Sequence, residues 1–306
     1  MWGILFKEGN KFMTDRERFL NIMEFKSVDR YPNYELGVWG QAIDRWYSEG
    51  LPRDVCYWNW FEGEPYFGID KRGFIPVKAG MIPGFDEETI EETERYIVFR
   101  DSIGRLRKAM KEGTVRGTRP SMDQYLDFPV KDKKSFEDLK KGYNPYSPVR
   151  YPMWWDELAK LWRDRDYPLC LFVNGQIGFY WTLREWVGTE NLSYMFYDDP
   201  SLVHEMLDFI ADFIIDVSTR ALSDVQIDYF NFSEDLAGKS GPLISPKIYK
   251  EFFVPRVRRV IEHFKKFRVR YFWVDSDGNF EVLIPYMLEA GINCIWPLEQ
   301  ASGMDP

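Results

Sequence analysis

The chain has 306 residues, of which 45% are hydrophobic and 29% charged, with a formal net charge of −9 at pH 7. Aromatic residues reach 18%, while there are two histidines, His204 and His263, and three cysteines, Cys56, Cys170 and Cys294. This composition excludes a disordered chain and a histidine-rich metal cluster, and the acidic balance argues against nucleic acid as the main partner.

Widely spaced cysteines with no C-x-x-C fit free thiols in a reducing compartment, so a cytoplasmic location is expected. No run approaches the roughly 20 apolar residues of a membrane span. Trp2 to Phe6 is too short for a signal-peptide core. Met13 is as good a start as Met1, so residues 1–12 read as an N-terminal extension and residues 13–306 as one domain.

Thr14 with Glu17 three residues on forms a capping box for a helix from about Asp15 to Phe25. Tyr31 to Leu36 reads as a short strand. The following stretch, to about Pro120, is rich in Trp, Gly and Pro. Within it Tyr96 to Arg100, a turn through Gly104, and Arg105 to Lys108 read as a β-hairpin that leaves the main body of the fold. Residues 121–165 read as loops and short helices.

From Pro168 the pattern becomes regular. Strands are expected at 168–174, 227–233, 269–274 and 292–298. A helical stretch runs through Trp181 and Trp186, and a second helix follows the Asp199-Pro200 cap to about Leu222. A third, opened by Ser245-Pro246 and interrupted at Pro255, runs to about Phe267. The last, Phe280 to Ala290, is closed by Gly291. Arg256, Arg258, Arg259 and the basic residues up to Arg270 read as a solvated helix face.

Close alternation of strand and helix means parallel βαβ units, hence a (β/α)8 barrel or a doubly wound sheet. No Gly-x-Gly-x-x-Gly follows a strand, which favours the barrel. About six core strands can be counted where a barrel has eight, so about two C-terminal βα units are expected to be missing. That gap predicts exposed apolar edges near Tyr31 and Ile292.

Barrel active sites lie at the C-terminal ends of the strands. Those ends carry Asn174, then Glu234 and Asp235, then Asp275 and Asp277, then Glu299. Carboxylates gathered at one mouth repel each other and need a raised pKa, a cation or a basic ligand. Glu234, Asp235, Asp275 and Glu299 are therefore the catalytic candidates, and Asp275, Asp277 and Glu299 the metal candidates. Turn and cap chemistry accounts for Asp277 equally well. Asn174, Trp39, Trp58 and Trp60 are candidates for the substrate mouth. His204, His263 and the three cysteines read as structural.

The stretches Thr14 to Phe19, Val28 to Pro32, Tyr197 to Pro200, Ser233 to Pro246, Val274 to Asn279 and Pro297 to Asp305 resemble the uroporphyrinogen decarboxylase (URO-D) superfamily, which includes corrinoid-linked methyltransferases. The resemblance covers nearly the whole chain from Met13 and implies a (β/α)8 TIM barrel. The decarboxylases carry arginines after their first strand that bind substrate carboxylates, whereas this chain has Tyr34 to Trp39 there. The thiol-methylating members hold zinc with a His-x-Cys pair, whose place is taken by Asp275 and Asp277. The resemblance therefore implies a methyltransferase acting on a small methylated substrate. It would use zinc or another divalent metal, or acid/base groups, and a corrinoid carried by a partner protein. The alternatives are uroporphyrinogen decarboxylation without a cofactor, and a tetrapyrrole- or corrinoid-binding protein without catalysis.

Overall fold

The computed structural model describes residues 12–35, 37–55, 62–116, 119, 122–172 and 176–305. Helix α1 (Asp15–Met23) starts at the expected capping box: Thr14 accepts from the Glu17 N–H, and the Glu17 side chain accepts from the Thr14 N–H. Helix α2 is Gly40–Ser48, and strand β1 is Gly73–Ile75. An antiparallel sheet follows, made of β2 (Glu88–Glu92), β3 (Tyr96–Arg100), β4 (Leu106–Met110) and β5 (Gln124–Asp127) in that order. The expected hairpin is its central pair, with Tyr96 opposite Met110 and Arg100 opposite Leu106. Helices α3 (Lys133–Lys140) and α4 (Trp155–Leu161) lead back to the main sheet.

Strand β6 is Leu169–Leu171, followed by α5 (Phe179–Val187), α6 (Thr189–Asp198) and α7 (Pro200–Asp224), the last capped by Asp199 as expected. Strand β7 is Tyr229–Ser233, and a small hairpin pairs β8 (Ala237–Gly238) with β9 (Gly241–Pro242). Helix α8 (Pro246–Ile248) passes through a π-helical turn, Tyr249–Phe253, into α9 (Val254–Lys265). Pro255 lies in the first turn of α9, where its missing N–H breaks the regular ladder and accounts for the irregular turn before it. Strand β10 is Tyr271–Asp275, helix α10 is Ile284–Ala290 with left-handed Gly291 as its cap, and β11 is Cys294–Trp296.

The main sheet is wholly parallel and runs β1-β6-β7-β10-β11. Spatial order follows chain order without reversal. A doubly wound sheet must reverse at a switch point, whereas right-handed crossovers without reversal put every helix on one face, which is how a barrel is wound. The two faces differ accordingly. Ile75, Leu169, Leu171, Phe230, Phe232, Phe272 and Val274 pack outward in the large core beneath α5, α7, α9 and α10. Phe74, Cys170, Tyr229, Tyr271 and Trp273 pack inward against Phe19 of α1.

One expectation needs correction. Residues 31–35 form no strand. Pro32 has no N–H to donate, and Asn33 exchanges backbone and side-chain hydrogen bonds with Asp70 instead of joining the sheet. The first strand of the sheet is β1, which the sequence reading passed over. Tyr31 is 78% exposed, and β11, the strand that follows Ile292, is an edge of the sheet with its apolar residues half-buried, although Ile292 itself is buried. The basic face of α9 is held by acids on neighbouring helices: Arg256 by Asp208, Arg259 by Asp212 and Arg258 by Glu289. Among the described residues no helix is long and apolar enough to cross a membrane.

Candidate functional site

Asp275 ends β10, in register with Ser233 at the end of β7 and Trp296 at the end of β11. Alternation along the strand turns it to the inner face, two pleats above Tyr271 and one above Trp273. It is half-buried, and no described residue donates a hydrogen bond to its carboxylate. Burial pushes its carboxyl up to about 7, and the charges of Asp277 and Asp235 push the same way. Asp277 is exposed beside it, and its carboxyl is also raised, by partial burial and then by Asp235 and Glu299. Asp235, Asp275, Asp277 and Glu299 thus share one electrostatic neighbourhood at the C-terminal ends of β7, β10 and β11.

The loop after β10 is held on both sides. Ser276 donates its N–H to the Trp296 carbonyl at 3.0 Å and accepts the Leu236 N–H on Oγ at 2.8 Å. The Gly278 N–H donates to Glu299 Oε2 at 2.9 Å, and the Ser302 hydroxyl donates to the same oxygen at 3.0 Å. Gly278 has φ +78°, and a Cβ there would meet the Ala237 and Gly238 carbonyl oxygens at 2.6 Å, so only glycine fits. Glu299 is therefore occupied in fixing the loop that presents Asp275 and Asp277.

Glu234 and Asp235 diverge. Asp235 has a left-handed backbone, φ +56°, and its carboxylate and carbonyl both accept from Arg184 Nη1, at 3.1 and 3.0 Å. Glu234 is fully buried and turned to the start of α5, where Oε1 accepts the Phe179 N–H at 2.9 Å and Oε2 the Tyr180 N–H at 2.7 Å. Burial pushes its carboxyl up to about 7, against the opposing pull of the Phe179, Tyr180 and Trp181 N–H groups. Glu234 caps a helix and takes no part in the open acid group.

Trp39 is 60% exposed at the head of α2. Asn174, Trp58, Trp60 and Cys56 lie outside the described residues. Cys170 is buried and reduced, and burial pushes its thiol well above the usual range, as expected for an inert core cysteine. Arg184 was missed by sequence reasoning, because a lone arginine inside an aromatic helix carries no motif. What marks it is its place on the helix that Glu234 caps, one turn beyond Tyr180.

The carboxylates do not fit a metal cage. Among the described residues no three His, Cys, Asp or Glu side chains converge closely enough to hold a metal ion. Glu299 is spent on Gly278 and Ser302, and Asp235 on Arg184. What remains open is a pair, Asp275 and Asp277, of which Asp275 holds its proton near neutrality and faces the aromatic interior. Such a group can give a proton to a ligand in the mouth.

A family model described as uroporphyrinogen decarboxylase (URO-D) matches residues 117–300, more than half of the chain. A solved structure, a methyltransferase from Methanosarcina mazei, superposes with a TM-score of 0.54 at 14% sequence identity, covering 92% of this chain and 75% of that one. No curated protein matches the chain significantly.

Proposed function

The chain belongs to the uroporphyrinogen decarboxylase family, and from that premise we propose that it is a methyl-transferring enzyme that demethylates a small methylated substrate, with Asp275 as general acid. The observation that carries this reading is Asp275 itself: half-buried, turned inward at a strand end, its carboxylate without a hydrogen-bond donor among the described residues and raised by burial to about 7. The fold-similar protein is a methyltransferase. The acid group at the mouth would repel a substrate with many carboxylates on its reacting side, which weighs against a porphyrinogen.

In this reaction the bond between the methyl carbon and its oxygen or nitrogen breaks. The leaving atom keeps the electron pair and takes the Asp275 proton. The methyl group goes to a two-electron nucleophile, which we assign to the reduced corrinoid of a partner protein. Burial first, and then the charges of Asp277 and Asp235, disfavour the charged form of Asp275, and Glu299 and Ser276 hold the loop in place. Trp273 and Trp296 supply an apolar wall along which a methylated ring or an alkylammonium can lie.

The test is turnover of methyl ethers and methylamines with a reduced corrinoid protein as acceptor. Asp275→Asn should lower kcat by about 10²–10⁴-fold with little change in KM, and wild-type kcat should fall as pH rises through about 7. A variant within threefold of wild type would overturn the role of Asp275. Decarboxylation of uroporphyrinogen, or corrinoid binding without turnover of any methyl donor, would overturn the reaction.

A further inference from the structure

The inner face of the sheet holds a positive charge that pairs directly with no carboxylate among the described residues, although Asp15 and Asp70 act at longer range on the same Tyr34. Five arginines are buried: Arg18, Arg72, Arg105, Arg150 and Arg165. Arg18 is paired with Asp15 and Asp29, Arg105 with Asp101 and Glu185, and Arg165 with Asp228. Arg150 donates to the carbonyls of Asn144, Lys78 and Gly80. Arg72 is 4% exposed, yet its side chain has no ion pair and no hydrogen bond among the described residues. It lies over rings, with the guanidinium carbon 5.0 Å from the Tyr34 centroid and 5.4 Å from that of Phe74.

The polar atoms around it are poorly partnered. Tyr34 Oη, Trp273 Nε1 and Arg72 Nε are buried without a partner among the described residues, and the buried Tyr229 hydroxyl meets only the weakly bonding Cys170 thiol. Tyr34, Tyr229 and Trp273 belong to one inward-facing cluster, in which Phe74, Cys170, Tyr229 and Tyr271 stand side by side across four strands. The charge of Arg72 acts on Tyr34, Tyr229 and Cys170 alike, so it lies near all three. Each of these four groups can donate a hydrogen bond. Buried water could satisfy the hydroxyls and the indole, but it cannot neutralise a guanidinium. A native fold that keeps an unpaired buried charge, when a methionine would fill the space, is keeping it for something that binds there.

We infer that the floor of the inner face is an anion site, in which Arg72, the Tyr34 and Tyr229 hydroxyls and Trp273 Nε1 hold a small carboxylate or an inorganic monoanion of similar size. The walls are rings of Phe19, Phe74, Tyr271 and Trp273, so a carboxylate ligand here would carry an apolar or aromatic body. Its deepest walls, level with Tyr271 and Tyr229, lie two pleats, about 13 Å, below Asp275, and Trp273 lies one pleat below it. It shares Trp273 with the wall of the methyl-transfer reading but does not depend on that reaction, and would hold if Asp275 served another.

The full chain is tested by thermal unfolding and titration calorimetry with sodium benzoate and, separately, sodium chloride, at ionic strength held constant with a bulky sulfonate buffer. The expected result is a saturable rise in Tm with one anion bound per chain. Its apparent Kd should weaken at least tenfold in Arg72→Met and severalfold in Tyr34→Phe. Without added anion, Arg72→Met should melt no lower than wild type, because it removes an unpaired buried charge. Saturation by benzoate supports an organic acid as the ligand, and saturation by chloride alone supports the inorganic source. The site is overturned if neither anion saturates wild type, or if wild type, Arg72→Met and Tyr34→Phe respond alike. Should Arg72→Met fail to fold, that too counts against it, and Tyr34→Phe still reads the binding.

Discussion

At the scale of single residues, Glu234 and Asp275 show how one shift can serve two ends. Both carboxyls are pushed up to about 7 by burial. The Asp275 carboxylate has no hydrogen-bond donor among the described residues and meets the mouth; that of Glu234 has two backbone partners and meets a helix. In the sequence they were indistinguishable, since each is an acid at the end of an apolar strand. The left-handed turn at Asp235 separates the neighbours Glu234 and Asp235, and no residue type signals it, because aspartate is only mildly favoured there. A structural role for Glu234 predicts a structural effect. Glu234→Gln replaces one acceptor with an NH2 group facing a backbone N–H, so it should cost about 1–3 kcal/mol in urea unfolding, with KM and kcat nearly unchanged. Unchanged stability would mean that the first turn of α5 finds its acceptors elsewhere.

At the scale of elements, the strands that were legible are those buried on both faces. Tyr229–Ser233 and Tyr271–Asp275 are nearly continuous apolar or aromatic runs, which only a covered parallel strand requires. Strand β1 was illegible because it has three residues and begins with glycine, normally a turn signal. Packing explains that glycine: a Cβ at Gly73 would meet Tyr167 at 2.8 Å and Leu169 at 2.9 Å. Arg72 was missed with it, since the residue before an unseen strand cannot be assigned a face. Gly178 is a stricter case of the same kind. It lies where the chain passes the end of β7 before α5, and a Cβ there would fall 1.8 Å from the Ser233 carbonyl oxygen. Backbone on both sides leaves no flexible side chain to yield. Gly178→Ala should therefore lose about 3 kcal/mol or more, or fail to fold. Because it pries β7 from α5, any folded fraction should also lose the Glu234 cap. Normal urea stability would show that the two segments can separate without cost.

At the scale of the molecule, strand–helix alternation and the family-specific stretches made the barrel legible, and the mouth followed from the rule that strand ends carry the chemistry. The inner layer was not legible, because alternation along a strand shows its face only once register is known. The mouth and the capped helix together set a pH dependence for the whole fold. Glu234 and Asp275 have folded values near 7, against ordinary values of 4.5 and 3.8. Between those limits the folded chain binds more protons than the unfolded one, so stability falls as pH rises. His204 and His263 are lowered by burial and oppose this below their ordinary 6.5. Asp29, held down to about 2 by Arg18, acts only in acid. The clean window is therefore pH 6.5 to 8, where unfolding free energy should drop by about 1–2 kcal/mol. Urea unfolding at pH 6.5, 7.2 and 8 measures it, and Asp275→Asn and Glu234→Gln should each flatten the slope. A stability that rises over this window would mean that both carboxyls are already charged at neutrality, and Asp275 could then no longer supply the proton that demethylation requires.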